Sequence, residues 1–189
     1  MKKILFLGYK SKDTILINFL KKKNFSLKVH GQKPLTLKNA KNYDIIISFG
    51  YSKILKSDIL ENISRPPINL HISYLPYNKG AHPNFWSFID KTPKGVSIHE
   101  IDKGIDDGRI IVRKKVKFKI NNNLTFKNTY KRLVFEVENL FIRNFKKIIN
   151  KNYQYIRVNS KGSFHKKKDL PKDLLTWDVP INNYLKKSN

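Results

Sequence analysis

Asn69, His71 and Ser73 stand two residues apart in Asn69-Leu70-His71-Ile72-Ser73-Tyr74-Leu75-Pro76, and Gly80-Ala81-His82-Pro83 follows closely. Farther along come Gly95-Val96-Ser97-Ile98-His99 and then Asp102-Lys103-Gly104-Ile105-Asp106-Asp107-Gly108. Residues two apart on a strand share one face, so a strand here would present an amide, an imidazole and a hydroxyl together. An amide N–H can hold a developing negative charge, an imidazole can take or give a proton near neutral pH, and a nearby carboxylate can orient it. A lone histidine on a strand is otherwise a quiet hydrogen-bonding residue of the interior. Asn69 beside it and the later Asp–Gly loop favour chemistry. At the carboxyl end of a strand in an open α/β sheet, such a face borders the crevice where ligands bind. His99 reads equally as a site residue and as a polar residue inside a strand.

What must hold these groups is a sheet. Lys3 to Leu7 is a continuous apolar run that stops at Gly8, and Tyr43 to Phe49 closes on Gly50 in the same way. Such runs suit parallel strands covered on both faces. Between them, Asp13 to Lys22 has helical spacing with Ile15, Leu16, Phe19 and Leu20 as its apolar face. Ser26 to Val29 suits a short strand, and 31–42 reads as a polar connection. Ser52 to Glu61 reads as a short helix before the break at Arg65-Pro66-Pro67, and Ile68 to Ile72 as a third strand. Val96 to Ile101 and Arg109 to Ile120 are further strand candidates. Leu124 to Asn150 is the clearest helix, with Phe126, Tyr130, Leu133, Val134, Val137, Leu140, Phe141, Phe145, Ile148 and Ile149 at spacings of three and four. Strands alternating with helices imply an α/β fold, an open and mostly parallel sheet flanked by helices, with right-handed crossovers. Residues 1–150 make one catalytic domain, and 151–189 a short basic, irregular extension packed on or near it.

The pattern Asn-x-His-x-Ser-x-Leu-Pro, a following glycine, and then His-x-x-Asp-x-Gly-x-Asp-x-Gly resembles the folate-dependent formyltransferases. That family includes glycinamide ribonucleotide formyltransferase, methionyl-tRNA formyltransferase and the sugar N-formyltransferases. The likeness runs from about Tyr43 to Val112, with two motifs in the right order at the right separation. It implies a Rossmann-like catalytic domain, 10-formyltetrahydrofolate as co-substrate and no metal. It places the catalytic groups on Asn69, His71 and Asp106. Asn69 would donate to the oxyanion of the tetrahedral intermediate, and His71 would take the amine proton or, when charged, stabilise that oxyanion. Asp106 would fix the ring of His71. The resemblance also puts the pterin beside Lys53, Ile54 and Leu55 and the Asp102–Lys103–Asp106 loop, although Ile54 and Leu55 alone read as core. Gly8-Tyr9-Lys10-Ser11-Lys12-Asp13 lacks the glycine- and serine-rich phosphate loop of the glycinamide ribonucleotide enzymes, and the residues beyond the long helix are too few for a tRNA-holding domain. Tyr77 to Trp86 and the tail Gly162-Ser163-Phe164-His165 instead resemble the short enzymes of surface-sugar biosynthesis. The expected acceptor is therefore an amino group on a nucleotide-linked deoxysugar, with Ser73, Tyr77, His82 and Trp86 on the acceptor side and tail lysines near the diphosphate.

The 189 residues carry 39 Lys+Arg against 14 Asp+Glu, a formal charge of +25, and no cysteine. Disulfides, cysteine–zinc sites and thiol nucleophiles are excluded. A 40% hydrophobic content with 12% aromatics excludes wholesale disorder. Only Arg65, Arg109, Arg113, Arg132, Arg143 and Arg157 are arginines, whereas proteins that read bases or clamp phosphates lean on arginine's planar fork. The lysine excess, accompanied by Asn and Ile, fits AT-rich coding, so no specific nucleic-acid partner is expected. A positive field still concentrates small anionic substrates. Lys2-Lys3 followed by Ile4 to Leu7 is too short an apolar run for a secretory signal, and no segment approaches the ~18 apolar residues that span a bilayer. A cytoplasmic protein without membrane contact is expected, and a homodimer is compatible with the sequence. The competing readings are glycinamide ribonucleotide- or methionyl-tRNA-type formylation and a non-enzymatic, basic, nucleic-acid-associated protein.

Overall fold

The computed structural model describes residues 1–187. Its centre is made by β1 (Lys3–Gly8) and β3 (Ile45–Phe49), which pair in parallel and are buried on both faces. β2 (Ser26–Gly31) adds to the outer side of β1, and β4 (Ile68–His71) adds in parallel to β3. β6 (Gly95–Glu100) and β7 (Ile110–Lys115) then run antiparallel, giving the order β2-β1-β3-β4-β6-β7. This is the open, mostly parallel α/β sheet that the sequence implies. β4 is displaced along the sheet: Ile68 is level with Ile47 and Leu70 with Phe49. His71 therefore projects beyond the carboxyl ends of β1 and β3.

Helices cover both faces. On one side, α1 (Leu16–Lys21) and α5 (Phe126–Ile149) place Leu16, Leu20, Leu133, Val137, Phe141 and Ile148 against Ile4, Phe6, Ile47 and Ile98. On the other, the short α2 (Leu37–Ala40) and α3 (Ser57–Glu61) bury Ala40 and Ile59 against Leu5, Leu7 and Ile46. Thr125 starts α5 as its cap, its hydroxyl accepting the Asn128 N–H at 3.2 Å.

Several elements differ from their sequence-based expectation, each for a local reason. α1 begins at Leu16 instead of Asp13 because Glu138 of α5 accepts both the Thr14 hydroxyl at 2.5 Å and the Ile15 N–H at 3.1 Å. Ile15 is turned outward, 51% exposed, and Ile17 takes its place in the core. Residues 31–42 are not all connection, since Thr36 caps the single turn of α2. Ser52 is outside α3 because the Gln32 side chain takes its N–H and hydroxyl, both at 3.0 Å, and leaves that segment extended. β7 stops at Lys115; the alternation that continues to Ile120 instead sets Phe118 against Phe88 of α4 (Pro83–Ile89). Tyr130 lies off the apolar stripe of α5, its hydroxyl against that of Tyr9.

The C-terminal segment is more ordered than its composition suggests. β8 (Phe164–His165) pairs in parallel with β5 (Lys79–Gly80), and a 3-10 turn follows at Lys167–Asp169. α6 (Ile181–Lys187) seats Ile181 and Tyr184 among Phe85, Phe88 and Phe126, a third apolar cluster apart from the two against the sheet.

If the inner face of α5 is what holds the sheet, Phe141→Ala should cost about 3–5 kcal/mol of unfolding free energy in a denaturant titration. Phe135→Ala, on the same helix but 54% exposed, should stay within about 0.5 kcal/mol of the unsubstituted protein.

Candidate active site

Asn69 and His71 come from β4, two residues apart on the same face and at the carboxyl end of the sheet. The antiparallel neighbour β6 sets His99 directly opposite Asn69. His99 is only 1% exposed, and its Nδ1–H donates to the Glu100 carbonyl at 2.7 Å. With Nδ1 donating, Nε2 is left to accept, and it takes one Asn69 amide N–H at 3.1 Å. The second amide N–H of Asn69 goes to Asp106 Oδ1 at 3.2 Å.

Asp106 lies in the loop between β6 and β7, with φ +54°, a left-handed conformation that costs energy in any residue bearing a Cβ. The loop is short of space as well. Gly108 packs so tightly on the Glu100 carbonyl that a Cβ there would collide with it, and Asp102 folds the loop by accepting the Gly104 N–H at 2.9 Å. In this posture Asp106 Oδ1 lies 3.5 Å from His99 Nε2 and 3.7 Å from His71 Nδ1, while Oδ2 accepts the backbone N–H of Gly80 at 2.9 Å. Burial would raise the Asp106 pKa, but the charge His71 takes up at acid pH, the close His99 ring and the Gly80 N–H outweigh it and hold the carboxyl well below the usual carboxylate range.

His71 is 8% exposed. Burial lowers its pKa from 6.5, with Asp106 pulling the other way, so the ring is neutral at neutral pH. Its Nε2 is sealed from solvent without a hydrogen bond of full geometry. Nδ1 is the nitrogen turned to the carboxylate. An amide, a neutral imidazole and an ionised carboxylate thus converge at the carboxyl end of the sheet. Together they can hold an oxyanion, accept a proton and steady the ring that accepts it.

The other residues singled out in the sequence fall around this group. Lys53 and Ile54 are exposed, Ile54 at 76%, while the Leu55 side chain is buried in the cluster under α2 and α3. Asp102 and Lys103 are exposed, and Lys103 reaches Glu61 at 2.7 Å. Ser73 lies past the end of β4, 2% exposed, with its hydroxyl donated to the Tyr77 carbonyl at 2.6 Å. The expected three-residue face therefore ends at His71. His82 stands at the head of α4 over Trp177, with ring centroids 5.3 Å apart, and Trp86 is stacked on His165 at 4.0 Å. Sequence reasoning gave no individual role to three contributors. Glu100 is a buried carboxylate that accepts from Arg109, Tyr155 and Tyr153 and closes the base of the loop. Gly80 contributes only a backbone N–H, and Asn78, fully buried with φ +54°, shapes the turn before it. A glycine and an asparagine in a turn carry no signal of such a role; only Glu100, charged at the end of an apolar strand, could have been noticed.

Relatives share this arrangement of elements. The chain is 42% identical to PseJ, a formyltransferase of Anoxybacillus kamchatkensis solved with UDP-4,6-dideoxy-4-formamido-L-AltNAc and tetrahydrofolate; the match covers 99% of this chain and 100% of that one with a TM-score of 0.88. It is 32% identical over 181 residues to the bifunctional polymyxin resistance protein ArnA of Wigglesworthia glossinidia brevipalpis, covering 90% of this chain and 27% of that protein. It is 29% identical over 128 residues to the dTDP-4-amino-4,6-dideoxyglucose formyltransferase of Mycobacterium bovis, covering 68% of this chain. The chain thus spans about a quarter and about half of the length of these two curated relatives. The formyl transferase family model matches residues 2–145, which contain all of the site except the tail that packs on it, and the chain belongs to the formyl transferase family.

Proposed function

We propose that this protein is an N-formyltransferase that moves the formyl group of 10-formyltetrahydrofolate to the primary amine of a nucleotide-linked amino deoxysugar. The observation that carries the reading is the convergence of Asn69, His71 and Asp106 in a chain that aligns end to end with PseJ. In that alignment the first acceptor class to try is a UDP-linked 4-amino-4,6-dideoxy sugar.

The chemistry follows from the geometry. The acceptor amine attacks the formyl carbon, a C–N bond forms, and the carbonyl oxygen becomes an oxyanion. An Asn69 amide N–H turned from His99 or Asp106 stabilises it. His71, neutral because burial lowers its pKa, takes the amine proton at Nδ1, and the adjacent Asp106 carboxylate stabilises the imidazolium so formed. Collapse of the tetrahedral centre breaks the bond to N10, which receives a proton, and tetrahydrofolate leaves. Ile54 and Ile105, 76% and 47% exposed, are apolar side chains of the kind a pterin ring would cover. The backbone of Lys53 and Leu55 and the Asp102–Asp106 loop, Lys103 included, complete that slot. Tyr77, His82 and Trp86 stand on the acceptor side, where Ser73 acts by holding Tyr77.

Incubation with 10-formyltetrahydrofolate and a panel of UDP- and dTDP-linked amino sugars should give tetrahydrofolate by absorbance and a product heavier by one formyl group by mass. Turnover of glycinamide ribonucleotide with none of any amino sugar would refute the acceptor class. Asn69→Ala should lower kcat by about 10²–10³, and full activity in that variant would refute the site. The pH profile has a definite sign. The working form of His71 is the neutral ring, and a pKa lowered from 6.5 keeps it neutral to lower pH. The acid limb of kcat/KM should therefore lie below 6.5; a limb above it would contradict a buried, uncharged base.

A further inference from the structure

The Gly80 N–H that supports Asp106 is not positioned by β5 alone. Gly80 has φ +86°, and a Cβ there would collide with the His165 carbonyl of β8, so the C-terminal segment lies directly against the residue that holds the carboxylate. The Lys79 N–H donates to the Ser163 carbonyl at 2.9 Å, and the Ala81 N–H donates to the His165 carbonyl at 2.8 Å. These two bonds bracket Gly80 and leave its own N–H aimed at Asp106.

β8 is in turn anchored by its side chains. The Ser163 hydroxyl accepts the Asn78 N–H at 2.9 Å and donates to Asn78 Oδ1 at 3.2 Å, while the Ser163 N–H reaches the Pro76 carbonyl at 3.3 Å. Gly162 approaches Pro76 so closely, with φ +75°, that a Cβ would strike its carbonyl. His165 Nε2–H donates to Asp90 Oδ2 at 2.7 Å, and its ring stacks on Trp86 with planes 5° apart. The contacts of this segment with the 76–81 turn therefore fall on Pro76, on Asn78 and on both neighbours of Gly80. Asn78 also bears on His71, whose charged form its backbone favours.

We propose that β8, through Ser163 and His165, is a positioning element of the catalytic site, holding the 76–81 turn so that the Gly80 N–H stays on Asp106. The inference rests on the reading of Asp106 as a catalytic group. Its role is indirect: Ser163 and His165 touch no reacting atom, and they set the hydrogen bonding of the carboxylate that does.

The test uses the full chain in three variants, Ser163→Ala, Ser163→Thr and His165→Ala. A hydrogen bond of this kind is worth about 0.5–1.5 kcal/mol, so Ser163→Ala should lower kcat about 2- to 13-fold, with KM for the amino-sugar nucleotide unchanged. His165→Ala should act in the same direction, and Ser163→Thr, which keeps the hydroxyl, should restore most of the rate. In ligand-free protein with isotope-labelled aspartate, the Asp106 carboxyl should titrate at higher pH in Ser163→Ala, because part of its N–H support is lost. A rise in KM at constant kcat would make β8 a substrate grip and overturn the proposal. So would an unmoved Asp106 titration, or a loss of rate no larger than the loss of folded protein. If the unsubstituted protein turned over no amino sugar, the functional reading would fail, while the carboxyl titration would still decide the positioning role.

Discussion

A carboxylate that stays ionised inside a protein needs hydrogen bonds in place of water, and at Asp106 they come from two parts of the chain, with an imidazole close beside them. Asn69 reaches it from β4, the Gly80 N–H from the turn beyond β4, and His99 stands beside it on β6. The residue itself sits in a left-handed backbone conformation, which only a well-determined surround can hold. Most features of the site can be traced to that surround. β4 is displaced so that His71 clears the sheet, and the Glu100 carbonyl fixes the tautomer of His99. Gly108 lets the loop close on the same strand.

The same constraint explains the distribution of labour between the two sides of the sheet. α5 and α1 give the sheet an apolar backing and carry none of the three converging groups. The opposite side and the carboxyl edge carry shorter helices and loops, where Ile54 and Ile105 are exposed. The +25 charge is a field that concentrates small anionic ligands without deciding which is bound. Among the described residues no helix is long and apolar enough to cross a membrane.

Much of this was legible in the sequence, and the reasons for what was not are physical. The apolar runs at Ile4 to Leu7 and Ile45 to Phe49, and the spacing from Leu133 to Ile149, announce buried strands and their covering helix because burial on a fixed face demands periodicity. The motif residues marked Asn69, His71 and Asp106, and the structure brings these three together. Boundaries were harder, since they depend on distant partners: Glu138 decides where α1 starts, and Gln32 keeps Ser52 out of a helix. The C-terminal segment read as irregular because β8 is two residues long and α6 is defined by what it packs against. Backbone donors such as the Gly80 N–H leave no trace in residue type at all, and His99 took on a clear role only when its two nitrogens acquired partners.

The central claim is that a buried, neutral His71 works beside an ionised Asp106, and the ring's own titration tests it most directly. Nuclear magnetic resonance of isotope-labelled histidine, followed against pH in the unsubstituted protein and in Asp106→Asn, reports it. His71 should titrate below 6.5, and lower still when the carboxylate charge is removed, because that charge favours the protonated ring. A His71 that is protonated at neutral pH, or whose pKa rises in Asp106→Asn, would contradict it.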